Sequence, residues 1–498
     1  MWQSNTWQII SLVLYVMNMV LAVFISTTLI LRKQDPVKTL TWVIVLILLP
    51  YFGIIFYIFF GQNYRKRKIY SRKGIADYKI RKETSRKQIE ALRKNPTLAP
   101  LEMMPFKKLI YQNLKNSHTV IEDNESIDFY FTGRDALDAM YNEIAMAEHH
   151  IHLQSYIIVD DNTGEKFKKL LIKKAKEGVE VRIIYDGMGS IALKKAYTQQ
   201  LKEAGIEVLV FSPVSIKLPT ATINYRNHRK ILVIDGKTGF LGGVNIADRY
   251  YYGTTEGDWH DTHIRIKGES VSSMQACFLM DRHFIQSRNI RRRIMLKRKY
   301  YPPLDIKESK EQMQGHHIYS QIISSGPDSD WASIMQCYFS AITAAKDHIY
   351  IVTPYFTPCE SILNAIKIAA LGDIEVKIML PEQSDTRIAH WSTMSYISEL
   401  LEAGVKIGLF KKGFNHSKVI SIDGLVSIVG SANMDIRSFE HNFEVMSVIY
   451  NKECAEIIER QFASDFASCK QITPLKWAKR GKADKIKESF ARLWSPLL

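Results

Sequence analysis

"NHRKILVIDG", residues 227–236, has a near-copy in "NHSKVISIDG", residues 415–424. Each stretch sets a histidine, a lysine two places on and an aspartate five places after that around a short apolar run. One shift of 188 positions carries His228, Lys230 and Asp235 onto His416, Lys418 and Asp423, and also Gly242 onto Gly430 and Asn245 onto Asn433. A lone His-x-Lys carries little information, but the whole pattern repeated at fixed spacing defines a motif. Side chains two apart on a strand share a face, so the histidine and lysine of each copy address one ligand. Asp235 and Asp423 fall on the other parity, at the far end of the run, and join the catalytic set as less direct participants. The following "GG" or "GS" lets backbone approach closely, and Asn245 or Asn433 then offers an amide to an oxygen.

The surrounding sequence alternates strand-like and helix-like segments. "HHIHLQSYIIV" (149–159), "GEKFKKLLIKKAKEG" (164–178), "VEVRIIYDG" (179–187) and "AYTQQLKEAGIEVLVFSP" (196–213) are replayed by "DHIYIVTPYF" (347–356), "ESILNAIKIAALG" (360–372), "IEVKIMLP" (374–381) and "ISELLEAGVKIGLF" (397–410). This order predicts an α/β fold of two duplicated lobes, 119–305 and 306–498, each a mainly parallel sheet flanked by helices. If the lobes face each other, two histidines, two lysines and two asparagines converge on one phosphate pocket that needs no metal and no cofactor. The first lobe carries an insertion that includes "PVSIKLPTATINY" (213–225), read as a lipid entrance, and Tyr156 and Tyr355 end the equivalent first strands, where they either line the pocket or pack at the domain surface.

The chain has 498 residues, and 67 Lys and Arg against 51 Asp and Glu leave a formal charge of +16, which favours an anionic partner. Its five cysteines are scattered, with no CxxC pair, which argues against a disulfide framework or a structural zinc site. Residues 2–31 carry no charge, and a second uncharged run covers 39–61; each exceeds the roughly 20 apolar residues that cross a bilayer as a helix. Two transmembrane helices are therefore expected within 1–61. The basic cluster at 65–73 outweighs Arg32, Lys33 and Lys38 between the spans, which places the later residues in the cytoplasm. Residues 62–118 read as a basic helical linker. Its segment "LEMMPFKKLIYQNLKN" (101–116) suits either a helix lying in the membrane interface or one packed on the next domain. The stretch 282–303 and a C-terminal stripe of Ile486, Phe490, Leu493 and Trp494 beside lysines both suit either an anionic lipid surface or a solvated face. Nucleic acid is disfavoured because the spans hold the lobes beside lipid and no aromatics are interleaved for base stacking.

The paired motifs resemble the signature of the phospholipase D superfamily. Two spans ahead of the duplication, "IFFGQNYRKRK" (58–68), "PYFTP" (354–358) and the terminal "SPLL" resemble the bacterial cardiolipin synthase family within it. That resemblance implies a multi-pass protein of the bacterial cell membrane that converts two phosphatidylglycerol molecules into cardiolipin and glycerol. It implies that His228 attacks phosphorus to form a phosphohistidine while His416 protonates the departing glycerol, although the residues themselves are nearly symmetric. It also implies that Asp261 and Glu444 orient the histidines. Lys230, Lys418, Asn245 and Asn433 stabilise charge on the phosphoryl oxygens. A hydrolytic phospholipase D, or another phosphatidyltransferase of the superfamily, would use the same residues.

Overall fold

The computed structural model describes residues 2–31, 36–57, 76–95, 101–212, 225–255, 257–287, 298–301 and 317–495. The insertion at 213–224, the junction at 58–75 with its basic cluster, most of the basic stretch 282–303 and the last three residues lie outside them. The chain divides into one unit of 1–67 with 214–225 and another of 68–213 with 226–498.

In the first unit, Trp7–Leu31 is 25 residues long and apolar enough to cross a membrane. A second span is not shown. The helix Pro36–Leu48 has 13 residues, and a new helix, Pro50–Phe56, starts after a break at Leu49. Proline has no N–H and pushes the residue before it out of helical geometry, and Leu49 accordingly adopts φ −128°, ψ 63°. Ala22, Leu29, Leu46 and Tyr57 pack together within this unit.

The second unit is built on one sheet that draws on both halves of the sequence. The first half supplies β1 (Glu122–Thr132), β2 (His150–Ser155), β3 (Glu180–Asp186), β4 (Glu207–Phe211), β5 (Ile231–Ile234), β6 (Thr238–Gly242) and β7 (Asp258–Gly268). The second half supplies β8 (Ile318–Ser325), β9 (His348–Val352), β10 (Phe356–Thr357), β11 (Glu375–Pro381), β12 (Lys406–Phe410), β13 (Gly413–Asn415), β14 (Val419–Ile422), β15 (Val426–Gly430), β16 (Met434–Asp435), β17 (Glu444–Tyr450) and β18 (Lys470–Ile472). The strand order is β18-β12-β11-β9-β14-β15-β17-β8-β1-β7-β6-β5-β2-β3-β4, with β13 beside β7 and with β10 and β16 pairing separately. The order β4-β3-β2-β5-β6-β7 in one half thus matches β12-β11-β9-β14-β15-β17 in the other, and β1 meets β8 antiparallel at the join.

The expectation of mainly parallel sheets is corrected: in the large sheet, among the described residues, the parallel runs within the two halves are β2, β3 and β4, and β9, β11 and β12, while the hairpin strands β5–β6 and β14–β15 are antiparallel. The cause is local. Asp235 (φ 54°) with Gly236 (φ 68°), and Asp423 (φ 55°) with Gly424 (φ 62°), are left-handed pairs that fold the chain into hairpins, with Lys237 N–H donating to Ile234 O and Leu425 N–H to Ile422 O, both at 3.0 Å.

The motif strands are buried on both faces. Leu232 and Ile234 enter the core under the first-half helices, whereas Ile231 and Val233 pack with Val419, Val429 and Val445 in a core that the halves share. Residues 101–116 are packed, but on the second half rather than on the domain that follows them: Met103, Phe106, Leu109, Ile110 and Leu114 join the second-half core, with Pro105 taken into a 3-10 turn.

Candidate active site

The two histidines are moored on each other's half. His228 N–H donates to Phe443 O at 2.9 Å, and Phe443 N–H donates to Arg226 O at 2.8 Å. In the same way β13 runs parallel to the start of β7, pairing Asn415 with His260, and His416 N–H donates to His260 O at 2.7 Å. Each histidine is therefore held one residue from a carboxylate on the opposite half. His228 Nδ1 lies 3.0 Å from Glu444 Oε1 and 3.1 Å from Oε2, and His416 Nδ1 lies 2.8 Å from Asp261 Oδ2. Glu444 and Asp261 thus each stand against one imidazole, and the pairing crosses between halves.

Buried carboxylates hold their charge only when hydrogen-bonded. Burial opposes the charge of Glu444, but His228, Lys230 and Ser431 together hold its carboxyl below the ordinary range. Ser431 Oγ donates to Oε2 at 2.5 Å and Asn442 Nδ2 to Oε1 at 3.3 Å. At the repeat-equivalent position stands Gly243, where a Cβ would fall 2.0 Å from Asp261 Oδ1. That oxygen is buried with no hydrogen-bond partner among the described residues, and burial pushes the Asp261 carboxyl up to about 6. Burial lowers both imidazoles, and Lys418, Lys230 and His228 lower His416 further. At neutral pH both rings are then neutral, with Nδ1–H donating to the carboxylate and Nε2 carrying the free lone pair.

Both rings line a cavity of about 350 Å³, together with Tyr156, Tyr355, Asn245 and Asn433. The Tyr156 ring stands edge-on to His228 with centroids 4.8 Å apart, and Trp259 lies 5.3 Å from His416. Asn245 is anchored at both ends of its amide: Oδ1 accepts from Ile157 N–H at 3.0 Å and one N–H of Nδ2 donates to the Tyr250 hydroxyl at 2.6 Å. Asn433 Oδ1 has no partner among the described residues.

Lys230 and Lys418 are not among the lining residues; each is buried and donates back to the carbonyl of its own histidine, Lys230 at 2.6 Å. Burial lowers their amines to about 7 and about 8, with Glu444 and Asp261 opposing the loss of charge.

Asp235 and Asp423 are not among the residues that line the cavity. The Asp235 carboxylate accepts backbone N–H groups of Glu148, His149 and His150 at 2.8–2.9 Å, and Asp423 accepts those of Lys346, Asp347 and His348, the closest of each at 2.9–3.0 Å. They fasten the starts of β2 and β9 at the end of the motif strand remote from the histidine.

Three lining cations were not foreseen: Arg226, Arg249 and Arg437. The repeat held the signal for two of them, since the shift of 188 carries Arg249 onto Arg437. Asp385 and Asp435 also line the cavity, and nothing in the first half corresponds to them in the motif spacing.

The fold is that of the phospholipase D class. It superposes on phosphatidylserine synthase from Haemophilus influenzae Rd KW20 with a TM-score of 0.59 at 13% identity, covering 79% of this chain and 100% of that one. The family described as "Cardiolipin synthase, PLD-like domain" matches residues 140–277 and again 338–466, and "Phospholipase_D-nuclease N-terminal" matches 19–62. Cardiolipin synthase of Halalkalibacterium halodurans is 40% identical over 484 residues, 96% of this chain and 92% of the relative. That of Oceanobacillus iheyensis is 38% identical over 489 residues, 97% and 98% respectively. The chain belongs to the cardiolipin synthase family.

Proposed function

We propose that this enzyme transfers a phosphatidyl group between two phosphatidylglycerol molecules, giving cardiolipin and glycerol. The observation that supports it best is the pair of imidazoles on one cavity, each with Nδ1 committed to a buried carboxylate. His228 Nε2 attacks phosphorus, a P–N bond forms, and the P–O bond to glycerol breaks as His416 donates its proton to the leaving oxygen. The anionic phosphodiester in the cavity favours the protonated form of His416 at this step. His416, now neutral, takes the proton of the second lipid's glycerol hydroxyl. That oxygen attacks phosphorus and the P–N bond breaks. Charge on the non-bridging oxygens meets Arg249 and Arg437, the field of Lys230 and Lys418, and the amides of Asn245 and Asn433.

The firmly ionised Glu444 suits His228 as nucleophile, because it fixes the tautomer that leaves Nε2 unprotonated. The arrangement in the membrane follows the sequence: two spans in 1–61, a basic linker in 62–118, and lobes 119–305 and 306–498 on the cytoplasmic side. The match of 19–62 to an N-terminal family segment and the apolar helix Trp7–Leu31 support it.

The purified full chain, given vesicles of phosphatidylglycerol alone, is expected to release cardiolipin and glycerol in equal amounts. Phosphatidic acid as the main product would replace the transferase reading with a hydrolase, since the two differ only in whether water reaches the intermediate.

A further inference from the structure

The helix Lys482–Arg492 turns its apolar side away from the protein. Its inward side carries Glu488 and Ala491, both buried, and it is tied down by polar contacts: Arg480 to Glu488, Arg492 Nη2 to Glu399 Oε1 at 2.6 Å, and Ser495 just beyond it to Ser392 at 2.8 Å and to the Tyr396 hydroxyl at 3.2 Å. Outward stand Ile486 at 69% exposure, Phe490 at 63%, Leu493 at 75% and Trp494 at 47%. Their spacing of i, i+4, i+7 and i+8 makes one continuous stripe. A surface helix ordinarily buries such a stripe, so the arrangement calls for an apolar occupant on the solvent side.

The charges around the stripe say which occupant fits. Lys476, Lys479, Lys482, Lys485 and Lys487 are exposed in this segment, and Asp484 is its exposed acid. A second copy of the same face would bring like charges together, whereas an anionic bilayer satisfies the apolar stripe and the lysines at once. The position is also telling. The helix Arg387–Met394, which supplies Ser392 to the contact with Ser495, supplies Ala389 to the wall of the active cavity.

We infer that Lys482–Trp494 is a docking face for an anionic phospholipid bilayer and that it sets the cavity against the membrane surface from which lipid enters. The entry of substrate rests on the phosphatidylglycerol reading; the docking itself is measurable without turnover.

The test is hydrogen exchange on the full chain reconstituted into phosphatidylglycerol or phosphatidylcholine bilayers. Amides of 482–494 are expected to exchange about tenfold more slowly in phosphatidylglycerol, and Ile486→Glu with Phe490→Glu is expected to abolish the difference. Equal exchange in the two bilayers overturns the inference, as does protection that follows protein density rather than lipid, which would indicate a second copy. In a turnover arm, the double variant is expected to fall about tenfold on bilayers and to match the unaltered protein on short-chain, monomeric phosphatidylglycerol. Loss on both substrates also overturns it. If the unaltered protein forms no cardiolipin from either substrate, the proposed reaction fails while the exchange result still decides the docking.

Discussion

His228→Ala and His416→Ala are each expected to lower cardiolipin formation on the order of 10⁴- to 10⁶-fold, with the double variant no worse than either single one. In the proposed mechanism the two rings act on the same phosphorus, one as nucleophile and one as proton carrier, so neither half-site works alone. Both rings are nearly buried, at 9% and 6% exposure, but neither supports a core of side chains above it, because each borders the cavity. The variants should therefore fold, and circular dichroism with the phosphatidylglycerol assay checks fold and rate separately. Additive losses would mean two independent sites.

The second large effect concerns the carboxylates. Glu444→Gln preserves shape but replaces an acceptor of two oxygens with an amide, so the Nδ1–H tautomer of His228 is no longer enforced. A loss on the order of 10²- to 10⁴-fold is expected, as when a catalytic imidazole is left in the wrong tautomer. Because the pairing is crossed, a change in the second half disables the histidine of the first. Rapid-quench measurement of the first glycerol released should show no burst in Glu444→Gln. Asp261→Asn acts on His416 and slows the release and transfer steps together. A Glu444→Gln variant with a normal first burst would show that Glu444 serves His416 instead.

Much of this site was legible because duplication leaves a constant offset. The histidines, lysines, asparagines and even Arg249 and Arg437 obey the shift of 188. The crossing was not legible: Asp261 and Glu444 are 183 apart, and their assignment depends on backbone pairings between residues more than 150 positions apart, such as His416 to His260 and His228 to Phe443. Local spacing carries no record of such contacts. The pairing of the sheet is hidden for a different reason. Alternating strands and helices predict parallel pairing, whereas the Asp-Gly pairs at 235–236 and 423–424 enforce hairpins, and their place in a His-Lys-Asp motif suggests chemistry rather than a turn. Their carboxylates turn out to cap backbone, which explains why an acid stands so regularly at that place. Pro50 likewise sits unremarked in an apolar run whose composition suggests one long span, yet the helix breaks before it.

The central claim is that both halves build one centre in which His228 bonds covalently to phosphorus. A phosphatidyl ester of p-nitrophenol tests it most directly, since that leaving group departs without a proton and so bypasses His416. His416→Ala mixed with this ester and quenched in base should carry a phosphatidyl group on the peptide that contains His228, with one equivalent of p-nitrophenol released. No adduct, or an adduct on any other residue, would contradict the account.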